Sequence, residues 1–301
     1  MERTAAWKRQ PLKGLLLTIA ALVVSILYLE VLAPAMGISF MDASMNYPFV
    51  YFFWAFALLG FFELWPFAKL KQPWAGLAAA ALSWVLTVPT WHWLVGRMGD
   101  YDAFALLSYA MFFLFLIAWF YFNEPAAEMS QPLKGVFLTM LSLVLGWVVY
   151  TQIGAIPQMW LYFIPVFLFY YFEYWPVAEY KPYTIGTFWL IFVLAGTWLN
   201  NEIQNVAGVA IATPRGTDVA SIIFAAMLYP YNFEYWPFEK LGQPLKGIVL
   251  SVATFVVAGV LAILAWTVFK VPDYWVSSWC FTVWVWQVVV QWLPAPWPSE
   301  G

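Results

Sequence analysis

Phe62-Glu63-Leu64-Trp65-Pro66-Phe67 is the stretch that decides the fold, because it returns twice along the chain with little change. The later copies read Phe-Glu-Tyr-Trp-Pro-Val at 172–177 and Phe-Glu-Tyr-Trp-Pro-Phe at 233–238. A shortened copy, Phe-Asn-Glu-Pro, occupies 122–125, and the last apolar segment ends with Gln-Trp-Leu-Pro at 291–294. We call these five stretches the turn motif. Their prolines are spaced by 59, 51, 61 and 57 residues, which is typical of a repeated supersecondary unit.

A second stretch, the helix-start motif, recurs between the turns. It reads Gln-Pro-Leu-Lys-Gly at 10–14, 131–135 and 243–247, with looser copies at 72–76 and 181–186. Proline suits the first turn of a helix and glycine allows close packing. Each unit is therefore interpreted as a helical hairpin that begins at a helix-start motif and ends at a turn motif. The sequence predicts a single membrane domain, 1–301, with five parallel repeats at approximately 8–66, 67–125, 126–176, 177–237 and 238–294.

Composition sets the environment of these hairpins. The 301 residues are 64% hydrophobic and only 10% charged, with a mean hydropathy of +0.76. Soluble domains carry roughly 25% charged residues, so this chain lacks the polar surface for water. Ten apolar segments have about the length of a membrane span. The first exceeds the roughly 7–15 residues of a cleaved signal core and is interpreted as a retained helix. The predicted fold class is an all-α integral membrane protein of about ten transmembrane helices.

Basic residues predict the orientation, since cytoplasmic loops of membrane proteins are enriched in lysine and arginine. The side that holds both termini carries ten basic residues and the other side three, so both termini are expected in the cytoplasm and the protein in the cell membrane. The ten are Arg3, Lys8, Arg9, Lys13, Lys69, Lys71, Lys134, Lys181, Lys240 and Lys246, and the three are Arg97, Arg215 and Lys270.

Two kinds of segment alternate along the chain. Odd segments, which follow a helix-start motif, are rich in small residues and contain 14 Phe, Trp and Tyr residues, whereas the even segments contain 40. Small residues allow helix backbones to approach closely. The sequence therefore predicts odd helices on the inside and aromatic even helices outside, either around a pseudo-fivefold axis or in a row.

The turn motif is interpreted as structural. Trp and Tyr suit the headgroup region of a membrane, and a device needed at every turn is more typical of a scaffold than of an active site. Its carboxylates, Glu63, Glu173 and Glu234, are expected to pair with Lys13, Lys134 and Lys246 of neighbouring hairpins. The other residues assigned this structural role are Trp65, Pro66, Trp175, Pro176, Trp236 and Pro237.

Polar residues interrupt the odd segments at one level. Glu30, His92 and Glu202 each lie 16 residues after the glycine of their helix-start motif. At 1.5 Å per residue, this level lies about 24 Å from the cytoplasmic start. Ionisable groups at such depth are costly and usually functional, although solvation in the outer headgroup region is the alternative. With the neighbouring Gln152 and Asn201, these three residues form the predicted substrate-binding set.

The residue inventory limits cofactors. His92 is the only histidine, which argues against a haem with two histidine ligands, and Cys280 is the only cysteine, which argues against cysteine-based metal centres. Glu30, His92 and Glu202 have ligand types suited to Zn, Fe or Mn and are the candidate metal ligands. No catalytic residue is assigned.

Three functions fit this pattern. The leading hypothesis is a transporter or channel for a small polar or cationic solute, with its site in the outer half of the membrane. The alternative is a non-catalytic subunit or assembly module that packs against its own copies or other membrane subunits. A membrane enzyme that uses the Glu/His set is the third. The expected partners are the lipid bilayer and a small solute, and the net charge of −3 gives no reason to expect nucleic acid.

Overall fold

A computed structural model describes residues 11–71, 74–154, 171–207, 233–268 and 270, and the regular structure in these ranges is helical. For 196–207 only the backbone is described. Most of the last three even segments lies outside the described residues. The longer helices are α1 (Leu12–Ala35), α2 (Tyr47–Phe56, continued by a π-helical turn at Ala57–Phe61), α3 (Trp74–Met98), α4 (Asp100–Phe120), α5 (Leu133–Ile153), α6 (Pro182–Ala207) and α7 (Leu245–Ile263).

Four of these helices are long and apolar enough to cross a membrane. They are α1, α3, α4 and α5, while α6 and α7 contain the shorter apolar stretches Pro182–Ala195 and Leu245–Leu261. The chain is therefore a helical membrane protein, as its composition predicts. The full number of ten spans stays a prediction.

The chain forms two compact units. The described part of the first unit contains α1, the turn at 171–176, residues 201–207 and the chain from 233 onward. The second unit contains α2 to α5 and residues 177–200. Every contact discussed below lies within one unit.

The assignment of odd helices to the inside was wrong for the helices that can be compared. In α2, an even helix, every residue except Trp54 is buried. In α4, also even, 72% of the most apolar stretch is buried, against 22% in the odd helices α1 and α5 and 39% in α3. The aromatic helices are thus the buried ones among the described part of the chain.

Ring packing explains this reversal. Phe56 of α2 contacts Phe115 and Trp119 of α4 with ring centroids 4.9 and 5.5 Å apart, and Phe49 stacks on Phe104 at 4.4 Å. Such pairs add about 0.5–1.5 kcal/mol beyond the area that they bury. Aromatic side chains therefore gain more from one another than from lipid, whereas the exposed faces of the odd helices carry mostly Leu, Val and Ile.

Small residues of the odd helices mark narrow contact faces. Gly146 of α5 lies against Ala110 of α4, where an added Cβ would be 2.6 Å from the Ala110 nitrogen. The remaining surface of α5 is apolar and largely exposed. One close contact to an aromatic helix thus coexists with a broad face suited to lipid.

The turn motifs share one backbone conformation. Glu63 and Leu64 have φ of 52° and 62°, and the corresponding pairs at 173–174 and 234–235 have φ of 49–50° and 64°. The shortened copy does the same, with φ of 50° at Phe122 and 59° at Asn123. Left-handed conformations cost non-glycine residues roughly 1–2 kcal/mol each, and asparagine tolerates them better than most. The shortened copy at 122–125 therefore has the same left-handed pair despite its different sequence, although the full copies have a cis Trp–Pro bond and this copy does not.

The turns hold the three ion pairs expected from the sequence. Lys134 Nζ lies 2.5 Å from Glu63 Oε1, and Lys13 pairs with Glu234 and Lys246 with Glu173. The carboxylates are about half exposed, so each pair contributes at most about 1 kcal/mol to stability.

Candidate functional site

The predicted binding residues lie near helix ends. Glu30 is exposed and belongs to the π-helical turn Tyr28–Leu32 of α1, and Gln152 is exposed close to the end of α5. Within the described residues, neither side chain makes a hydrogen bond or an ion pair. Asn201 and Glu202 lie on α6, where only the backbone is described. The convergence of the five residues of the predicted set therefore stays a prediction.

His92 has a defined partner in the second unit. Its Nε2 lies 3.2 Å from the hydroxyl oxygen of Tyr47 on α2, and the two rings meet edge to face with centroids 6.2 Å apart. The imidazole itself is exposed, next to the buried Trp91 and the exposed Trp93. His92 is thus a polar group at the surface of the α2–α3 pair, held by one hydrogen bond.

Further polar contacts join the same two helices. Trp54 Nε1 of α2 donates to Thr90 Oγ1 of α3 at 3.0 Å. Tyr51 of α2 is fully buried, with its ring 5.0 Å from the Trp84 ring. Its hydroxyl has no hydrogen-bond partner among the described residues. A buried hydroxyl without a partner is unfavourable by about 1–3 kcal/mol, so a polar group that reached this hydroxyl would be favoured to hydrogen-bond it.

Two buried hydroxyls lie on α3 at seven and three residues before Thr90, on the same side of the helix as Thr90. Ser83 Oγ donates to the Ala79 carbonyl and Thr87 Oγ1 to the Ser83 carbonyl, both at 2.8 Å. Their hydrogens are engaged by their own helix, but each oxygen keeps lone pairs that accept hydrogen bonds. We define the α2–α3 polar face as Tyr47, Tyr51 and Trp54 of α2 with Ser83, Thr87, Thr90 and His92 of α3.

Sequence reasoning found only His92 of this face, because the aromatic even segments were assigned to lipid contact. A signal was present in the spacing. Tyr47, Tyr51 and Trp54 follow one another by four and three residues, and so do Ser83, Thr87 and Thr90. Residues three and four apart lie on one side of a helix, so each triplet forms a polar stripe on an otherwise apolar helix.

The chemistry of the α2–α3 polar face is that of a binding site for uncharged or cationic groups. Hydroxyls, an indole and an imidazole supply hydrogen bonds, and the faces of Tyr and Trp rings attract cations. The described residues contain no cluster of three His, Cys, Asp or Glu side chains that could hold a metal ion. The candidate metal set Glu30, His92 and Glu202 includes the Glu202 side chain, which is not described, and it stays a prediction.

Comparison with protein-family models, with curated proteins and with solved structures finds no match to this chain.

Proposed function

We propose that the chain is a multi-pass transporter or channel for a small polar or cationic solute, built from five helical hairpins with both termini in the cytoplasm. The observation that carries this proposal is the α2–α3 polar face. It begins at the exposed His92 and includes the fully buried Tyr51, whose hydroxyl has no partner among the described residues.

The physical argument concerns polar groups in a membrane span. Each polar group placed there is unfavourable unless it is hydrogen-bonded, and a scaffold helix could use apolar residues instead. A solute that passes along α2 and α3 would offer hydrogen bonds to Tyr51, Ser83 and Thr87. Aromatic rings on the same face favour a cation over an anion. The predicted set Glu30, His92, Gln152, Asn201 and Glu202 stays a separate hypothesis for residues that bind the solute.

Flux into liposomes tests the proposal. The purified chain is reconstituted, and stopped-flow light scattering follows the entry of urea, glycerol and methylammonium chloride. We expect at least one probe to enter faster than into protein-free liposomes. We also expect His92→Ala and Tyr51→Phe to reduce that rate severalfold, while Glu128→Gln at a cytoplasmic loop leaves it unchanged. Rates equal to those of protein-free liposomes for every probe would overturn transport.

A second function, a non-catalytic assembly module, is favoured by a different observation. The rings of α2 and α4 pack closely inside their unit, which is typical of a rigid scaffold. The test is the mass of the purified protein–detergent complex across a dilution series, together with crosslinking in native membranes. A stable complex with its own copies or with other subunits, without solute flux, would favour this function over transport.

A further inference from the structure

The helix-start motif forms the same set of contacts with a turn motif in both compact units. In the second unit, Gln131 Nε2 donates to the Phe61 carbonyl at 2.8 Å and Lys134 pairs with Glu63. In the first unit, the corresponding Gln243 donates to the Tyr171 carbonyl at 2.8 Å and Lys246 pairs with Glu173.

Glycine completes each of these contacts. An added Cβ on Gly247 would lie 2.6 Å from the Phe172 ring, and one on Gly135 would overlap the ring of Phe62. The aromatic residue before each turn glutamate therefore sits directly on the helix backbone. Each helix start thus recognises three features of a turn: a backbone carbonyl, a carboxylate and an aromatic ring.

Lys246 shows how closely the charged contact is enclosed. Its ammonium pairs with Glu173 and also lies 4.1 Å from the centre of the Tyr235 ring, and the lysine is only 7% exposed. Burial, and secondarily the nearby Glu173 carboxylate, raises the pKa of the Tyr235 phenol, so the ring stays neutral beside the cation. A lysine in this surrounding requires a carboxylate partner.

An uncharged version of the contact exists as well. Tyr121 places its ring on Gly186, where an added Cβ would lie 2.7 Å away, and its hydroxyl is 3.2 Å from Thr187 Oγ1. At the position of the turn glutamate this copy has Phe122, and at the position of the helix-start lysine it has the buried Ile185. Both charges are absent from the same contact.

The partners follow one rule along the sequence. The first turn binds the third helix start, the second turn the fourth, and the third turn the fifth, while Glu234 of the fourth turn pairs with Lys13 of the first start. If the first hairpin is counted as following the fifth, each turn pairs with the helix start two hairpins further along the chain. Of the five possible spacings between a turn and its start, only this one places a lysine opposite every turn glutamate. The five turn residues are Glu63, Phe122, Glu173, Glu234 and Gln291, and the five helix-start residues are Lys13, Ala75, Lys134, Ile185 and Lys246.

We propose that the helix starts are intramolecular binding sites for the turns, and that charge at one position separates the starts that accept acidic turns from the start that accepts an uncharged turn. Lysine-bearing starts bind acidic turns, and the start with Ile185 binds the uncharged turn at Phe122. A lysine-bearing start opposite an uncharged turn would leave a largely buried lysine, such as Lys246, without its carboxylate, so the charges also act against such mismatches. This proposal rests on the five-hairpin organisation proposed above, but it does not depend on transport.

Charge reversal in the purified full chain tests the rule. Glu63→Lys and Lys134→Glu should each lower the thermal midpoint by about 2–4 °C, and the cognate double reversal should recover at least half of the summed loss. In the mismatched double variant Glu63→Lys with Lys246→Glu, the thermal midpoint should fall by the full sum of the losses of the two single variants. Lys71→Glu, an exposed lysine outside these contacts, is the control and should leave the midpoint unchanged.

The uncharged contact allows a second, independent experiment. Phe122→Glu alone should lower the midpoint, and adding Ile185→Lys should restore it, because the pair then resembles Glu63 with Lys134. Where a variant does not survive purification, crosslinking of Glu63→Cys to Lys134→Cys by a short bismaleimide is measured in native membranes with Cys280 replaced by serine. Equal loss in cognate and mismatched doubles, or no crosslink in the cysteine pair, would overturn the proposal. Solute flux is measured on the same samples, so a failure of transport is read separately.

Discussion

Single glycines decide how closely the elements of this protein approach one another. Gly247 and Gly259 lie on the same helix, α7, yet only Gly247 has a neighbour in the way of a Cβ, the ring of Phe172. We expect Gly247→Ala to lower the free energy of unfolding by about 1–2 kcal/mol, since overpacking outweighs the gain in helix propensity. Chemical denaturation of the two variants in detergent measures the difference.

The matched control is Gly259→Ala, which has open space around the new methyl group. It should be neutral or stabilising by up to about 1 kcal/mol, because alanine is the better helix former. Equal destabilisation by both substitutions would mean that the Phe172 ring does not rest on α7.

Replacing Tyr51 by phenylalanine separates an effect on solute flux from an effect on stability. No described residue hydrogen-bonds the Tyr51 hydroxyl, so Tyr51→Phe removes no contact, and we expect the free energy of unfolding to stay equal or to rise slightly. Trp54→Phe, by contrast, removes the hydrogen bond to Thr90 and should be destabilising by about 1–2 kcal/mol. Thermal denaturation of the two variants provides the measurement, and a clear loss of stability in Tyr51→Phe would show that the hydroxyl has a protein partner.

At the scale of the helices, composition predicted the elements but not their burial. The apolar segments at α1, α3, α4 and α5 are helices as expected. Counting aromatic residues, however, cannot decide whether rings face lipid or one another, because both environments are apolar. Ring pairs such as Phe49 with Phe104 form between segments distant in sequence, so they cannot be predicted from local sequence.

At 122–125, sequence comparison underestimates how similar the turn is to the full copies of the turn motif. Its sequence keeps only the final proline of the turn motif, yet Phe122 and Asn123 adopt the left-handed conformation of the full copies. Asn123 also donates from Nδ2 to the Gly60 carbonyl at 2.7 Å. In this copy the backbone conformation and one long-range hydrogen bond take the place of the ion pair. Sequence similarity does not detect either feature, so the stretch was identified only as a shortened copy.

The contact between α4 and α5 gives the prediction for this scale. At Gly146 the obstacle to a Cβ is the backbone of Ala110, which cannot rotate away as a side chain can. Gly146→Ala should therefore lower the free energy of unfolding by about 2–3 kcal/mol, more than Gly247→Ala. Gly96→Ala on α3, with nothing within 4 Å, is the control and should be neutral. A neutral Gly146→Ala variant would show that α4 and α5 are farther apart than the structure has them.

For the whole molecule, the sequence held more about hairpin order than its motifs first indicated. If every turn pairs with the helix start a fixed number of hairpins away, only one such number places a lysine opposite each of the three glutamates, and the observed ion pairs follow it. The α2–α3 polar face could have been found from its spacing. The set Glu30, His92, Gln152, Asn201 and Glu202 depends on how distant segments are arranged, which a register count along each helix does not supply.

The orientation of the chain leads to the last prediction. The proposed ten spans with both termini in the cytoplasm would place the exposed Lys71 and Glu128 on one side of the membrane and the exposed Met36 and Tyr101 on the other. The reason is the excess of lysine and arginine on the first side, which is retained in the cytoplasm during insertion. Single cysteines at the four positions, with Cys280 replaced by serine, are tested with a membrane-impermeant maleimide. On intact cells, labelling should occur at Met36→Cys and Tyr101→Cys only, and on inverted vesicles at Lys71→Cys and Glu128→Cys only. Labelling of Lys71→Cys and Tyr101→Cys from the same side would mean that α3 does not cross the membrane, and with it the parallel arrangement of the hairpins would fail.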